Sequence, residues 1–219
     1  MSATFVPSRN FTYAVFYGCA DDMIDDITQK LSYSGCSVLH PLVLPTIFAE
    51  IERNRQIGIA EDSLTKLVQR VLDIGHNSEY GISGKEKAAD LGSLDSITLW
   101  LEISEIKNGL ENWKKQLLKM IGHADELADN WFRGRGEGKA GCDVSMAAKE
   151  GPDLNCEIDE DDRIRMLMRD SGTRIKERLQ ELVDEYEERI RDCVTTLDGM
   201  ALATQLVSYG AHFTTSLNS

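Results

Sequence analysis

From Asp159 to Gln205 the chain contains no proline, and Ile175, Leu179, Leu182, Tyr186, Ile190, Cys193, Leu197 and Met200 recur at intervals of four and three. A run this long, with no breaker and an apolar residue on every turn, buries that seam only as one long helix. The steps alternate four and three, with one additional four between Tyr186 and Ile190, which is a heptad rhythm carrying one stutter. Glu185 with Arg189 and Glu187 with Arg191 stand four apart, acid first, and support the same helix. The seam has two outlets. It packs on another helix of its own chain, or on a second copy to make a homo-oligomer through the C-terminal helix.

The segment that can answer it inside the chain runs from Leu94 to Met120, where Leu99, Ile103, Ile106, Leu110, Trp113, Leu117 and Met120 keep the same spacing. That helix is expected to bend near Gly122 and to continue to Trp131. The expected fold is therefore mainly α: a long antiparallel helical hairpin with a stalk-like C-terminal helix and a small N-terminal α/β element. Within that element, Phe11–Gly18 reads as a strand and Asp21–Leu31 as a helix with Asp21 as a natural N-cap. Ser37–Leu39 reads as a second short strand. Pro45 suits the first turn of a helix reaching Arg55, and a further helix spans Glu61–Ile74 before Gly75. The expected divisions are 1–74 for the small element, 75–93 a flexible connector, 94–132 the long helix, 133–157 a flexible loop, 158–207 the stalk and 208–219 a tail.

Composition narrows the function. A net charge of −13 offers no basic face to neutralise phosphates, so a nucleic-acid-binding role is not expected. No apolar run approaches the roughly twenty residues that span a bilayer, so no membrane span is expected. Arg9 precedes the apolar stretch Phe11–Ala20, yet its Tyr and Thr content and the aspartates after it favour a strand over a secretory signal. Five cysteines at unrelated spacings, without a Cys-x-x-Cys pair, fit a reducing, cytoplasmic setting.

The sharpest local pattern is Asp21-Asp22-Met23-Ile24-Asp25-Asp26. On a helix Asp21, Asp22 and Asp25 share a face, and their carboxylates can converge on Mg²⁺. Acids in a first turn are also favoured by the helix dipole alone. Gly81-Ile82-Ser83-Gly84-Lys85 is too short for a phosphate loop, and the Arg-Gly repeats at 133–136 sit beside Glu137 as a solvated linker. His40, His76, His123 and His212 are scattered, with no ligand or catalytic spacing around them.

The aspartate run also resembles the first metal motif of class I terpene synthases, and Asp170, Thr173 and Glu177 echo their second. Arg169 occupies the leading ligand position there, a cation where that motif holds the metal. This resemblance implies an Mg²⁺-dependent enzyme acting on a prenyl diphosphate.

A broader resemblance covers most of residues 11–206. It is carried by Phe11-Thr12-Tyr13 with Tyr17-Gly18-Cys19, by His40 to Arg53, and by Leu67 to Asp73. Asn108 to Leu117 and blocks between Ile175 and Leu206 complete it. Together these stretches resemble the cytoplasmic part of CorA-like magnesium-transporter proteins of filamentous fungi. The resemblance implies an N-terminal α/β domain feeding a stalk helix, five subunits around a pore, and acidic residues that sense the cation. The chain departs from that pattern in having no transmembrane helices, no Gly-Met-Asn motif and few strands. Gly199-Met200-Ala201 lies within the stalk phrase and is a different feature. The expected role is that of a soluble, truncated relative of that domain, non-catalytic, binding partners or sensing divalent cations. Mg²⁺ is its only candidate cofactor.

Overall fold

The structure, a computed structural model, describes residues 2–6, 11–79, 85–132 and 160–217. Strands β1 (Ser2–Val6) and β2 (Phe11–Val15) pair antiparallel, with Ser2 opposite Val15 and Val6 opposite Phe11. Four helices follow: α1 (Asp21–Tyr33), α2 (Val43–Glu79), α3 (Lys85–Asn130) and α4 (Glu160–Leu217), with a short 3-10 turn at Gly35–Leu39 between the first two. The protein is mainly α, with a small N-terminal two-stranded sheet.

Several boundaries differ from expectation. Ser37–Leu39 is 3-10 helix rather than strand, and the partner of β2 is β1 instead. A strand there would have needed a sheet neighbour to take up its backbone groups. Asp21 is the first helical residue of α1, and Ala20 is the N-cap, with no side-chain capping bond. The helix ends where Ser34 N–H returns to the Leu31 carbonyl and Gly35 takes φ +51°, a left-handed conformation that glycine adopts without a Cβ penalty.

The two helices expected over 45–55 and 61–74 are one, and Pro45 is its third residue. Gly58 sits inside that helix with open space around its missing Cβ, while Ile57 and Ala60 beside it are buried. Burial of those neighbours outweighs the roughly 1 kcal/mol propensity cost of a helical glycine. Gly75 likewise lies within α2. Where a connector is expected at 75–93, α2 extends to Glu79 and α3 begins at Lys85, and 80–84 lie outside the described residues. The loop expected at 133–157 lies outside them too. The tail expected from 208 is helical as far as Leu217.

The chain divides into two compact units, Met1–Ile51 with Leu118–Gln180 and Glu52–Leu117 with Glu181–Ser219. In the second unit, Ile103, Leu110 and Leu117 of α3 recur at sevens and are almost fully buried, as do Tyr186, Cys193 and Met200 of α4. A seven-residue repeat is the signature of helices packed at a shallow angle, knobs into holes. Ion pairs fix the directions. Arg53 with Glu185 and Glu61 with Arg189 run α2 parallel to α4, and the Lys114–Glu187 contact of 3.2 Å joins α3 to α4. These pairs lie at the surface and fix register more than they stabilise.

In the first unit, the core includes Ile27, Val43, Ile47, Ala124, Phe132, Met168, Ile175 and Leu179. Phe16, just after β2, packs its ring 5.9 Å from Phe48 of α2, which ties the small sheet to the helices. His40, at the end of the 3-10 turn, packs its ring 5.6 Å from that of Phe132.

Candidate functional site

The first unit holds the polar features with most chemical content. Lys30 on α1 and Arg178 on α4 reach the two oxygens of one carboxylate, Glu50 of α2. Lys30 Nζ stands 2.9 Å from Oε2, and Arg178 Nε stands 2.8 Å from Oε1. Burial pushes the Glu50 pKa up, but the hydrogen bonds from Arg178 and Lys30 outweigh it, and the carboxyl stays below its usual range. One turn before Arg178, Arg174 is held by Asp170 at 2.8 Å. These groups surround a cleft of about 420 Å³ whose wall also carries Ser37 and Ser171, hydroxyl to hydroxyl at 3.1 Å.

His40, 1% exposed, lies against Gly172, the residue after Ser171. Its Nδ1 accepts the Leu42 backbone N–H at 3.2 Å, so the ring proton resides on Nε2, and that atom is buried without a partner. Burial lowers the His40 pKa to about 4, so the ring is neutral at physiological pH. A second groove of about 370 Å³ lies between the sheet and the helices, lined by Phe5, Thr12, Pro41, Pro45, Leu127 and Trp131.

The aspartates of α1 are placed differently from this cleft. Asp21 and Asp22 occupy the first turn, where the helix dipole favours them, and Asp21, Asp22 and Asp25 are exposed. Among the described residues, no group of three or more His, Cys, Asp or Glu side chains is arranged to hold a metal ion. The second acidic motif is also engaged elsewhere: Asp170 pairs with Arg174, and Thr173 Oγ1 donates to the Arg169 carbonyl at 3.1 Å.

Two candidate nucleophiles among the described residues, Cys193 and Tyr186, are buried. Cys193 is fully buried, and burial together with the nearby Asp192 charge pushes its thiol pKa up, away from thiolate. Tyr186 is buried as well, with its pKa raised by burial and by the Glu52 charge. Cys19 is only partly covered. No helix among the described residues is long and apolar enough to cross a membrane.

Comparison with family models, with curated proteins and with solved structures gives no match for this chain. What the site can do therefore rests on its own geometry.

The cleft was not foreseen from sequence. Its members are separated by 20 residues (Lys30 to Glu50) and by 128 (Glu50 to Arg178), and no local spacing rule joins them. His40 offered a partial signal, since the sequence places it beside Pro41 at the end of a glycine-broken segment.

Proposed function

We propose that this protein is a non-catalytic helical binding protein, a relative of the cytoplasmic portion of CorA-like transporters, that works by partner binding and responds to divalent cations. The observation that carries the non-catalytic part is the state of three reactive groups among the described residues. The Cys193 thiol, the Tyr186 hydroxyl and the His40 imidazole are each buried, and burial holds all three in their neutral forms. A nucleophile or general base has to reach substrate, and these are built into the core instead.

The stalk likeness is supported by the continuity of α4 and by its seam. Leu179, Leu182, Tyr186 and Cys193 are at most 1% exposed within a single chain. Self-association would therefore use other positions of the helix, or exchange the same seam between copies.

Cation response rests on Asp21, Asp22 and Asp25, exposed on α1. Magnesium keeps most of its water and is held by one or two carboxylates, so a loose, millimolar association at this helix start fits the geometry. The test is thermal melting with and without millimolar Mg²⁺. We expect a rise in Tm for the native chain and a smaller one for Asp22→Ala. Equal melting in both conditions removes the cation-sensing role. Turnover of a prenyl diphosphate in the presence of Mg²⁺ would overturn the non-catalytic reading.

A further inference from the structure

We propose that the cleft between α1, α2 and α4 in the first unit is a binding site for a small phosphomonoester. This does not depend on the cation response above, since it uses none of the α1 aspartates.

The charge of the cleft is the opposite of that of the chain. Three cations line it, Lys30, Arg174 and Arg178, against Glu50 in the wall and Asp170 beside Arg174, in a protein whose net charge is −13. Glu50 does not cancel the site. It accepts from Lys30 and Arg178 through separate oxygens and so holds the two cations on either side of it, while their side chains stay 34% and 42% exposed. Asp170 does the same for Arg174, at 2.8 Å from within the same helix. The cations are thus pre-positioned with their heads accessible to solvent, which lowers the ordering cost of closing on an anion.

A second observation concerns the hydroxyls. Ser37 and Ser171 meet at 3.1 Å and both line the cleft. The pair carries two hydroxyl hydrogens, and their mutual bond uses one. When the buried Ser171 donates to the half-buried Ser37, the Ser37 hydrogen is available to an anion in the cleft. A phosphate offers three anionic oxygens, enough to take the serine proton and charge-assisted bonds from the arginines together. A carboxylate offers two.

The volume of about 420 Å³ lies in the range of small-ligand sites. Tyr33, 81% exposed at the mouth, provides an aromatic face for the non-phosphate part of the ligand. A polymer with many phosphates is disfavoured, because the acidic surface beyond the cleft repels it.

The experiment is calorimetric titration of the whole chain with adenosine monophosphate and with glucose 6-phosphate, and with adenosine and glucose as controls. Arg174→Gln is the test variant, because its side chain is 63% exposed and its bond is to its own helix, so folding is expected to survive. Arg163→Gln, exposed on the same helix, is the control for general charge. Saturable binding of the phosphate compounds but not of the unphosphorylated ones is expected, weakened about tenfold or more in Arg174→Gln and unchanged in Arg163→Gln. Inorganic phosphate should compete with both esters. The site is overturned by no saturable binding up to about 10 mM, by equal binding in Arg174→Gln, by equal weakening in Arg163→Gln, or by failure of phosphate to compete.

Discussion

A Cβ placed on Gly172 of α4 would stand 3.0 Å from Nε2 of His40. The ring it would meet is 1% exposed, is fixed by the Leu42 N–H and packs on Phe132, so it has little room to yield. Gly172→Ala therefore sets a helix-propensity gain of about 1 kcal/mol against an overpacking cost of ~1–3 kcal/mol, and net destabilisation is expected. Removing the ring should reverse the sign: in a His40→Ala background the same substitution should stabilise. Gly199, with nothing within 4 Å, is the control, and its change to alanine should stabilise by up to about 1 kcal/mol. Urea unfolding of the native chain, the two single variants and the double variant measures the coupling directly.

His40 also makes stability depend on pH. Its pKa is about 4 in the folded chain against an ordinary value of 6.5, and the cause is burial. The unfolded chain therefore takes up a proton first as pH falls, and stability is lost progressively from pH 6.5 down to about 4. The loss should total about 3 kcal/mol and should vanish from this window in His40→Gln. Glu50 acts in the same direction but lower: its folded pKa is depressed, so its contribution is present above 4.5 and lost as pH falls through the folded value. Denaturant midpoints at pH 7.5, 5.5 and 4.5 follow His40, and the same series in His40→Gln, carried below pH 4.5, isolates Glu50.

The Tyr186 hydroxyl is buried without a hydrogen-bond partner. Its replacement by hydrogen removes a desolvated polar group and leaves the ring in place. Tyr186→Phe is expected to be neutral or stabilising by up to about 1 kcal/mol. A clear loss in a thermal melt would mean that the hydroxyl is satisfied in solution.

Leu182 and Leu202 lie on the same helix with opposite environments, 0% and 61% exposed. Leu182→Ala should cost about 2–5 kcal/mol, because it leaves a cavity in a packed seam. Leu202→Ala should change stability by no more than about 0.5 kcal/mol. Comparable losses at both sites would show that Leu202 is covered in solution, by a second copy for example, and light scattering of the native chain would then identify the oligomer.

Legibility in the sequence followed the range of the interaction. The α4 seam was readable because its periodicity is written in consecutive turns, and Leu179, Leu182, Tyr186, Cys193 and Met200 are buried as that spacing requires. The breaks around Arg55 and Gly75 were misplaced because glycine and proline signals are weak local preferences, whereas a packed face extends a helix through them. Ser37–Leu39 differs from expectation for a related reason: β-propensity reports fit to a neighbouring strand, and among the described residues no strand pairs with it. The Asp21-Asp22-Asp25 pattern was plain as text, but three exposed carboxylates on one helix do not by themselves converge.

By itself, the sequence determined the helical class, the long C-terminal helix with its seam, and the N-terminal strand at Phe11, since each depends on residues close together along the chain. Only the tertiary structure decided that Lys30, Glu50 and Arg178 meet, that Ser37 faces Ser171, and that His40 is sealed against Gly172. Those contacts join residues 20 to 134 positions apart, and their energies depend on burial and orientation, which arise only after the helices have packed.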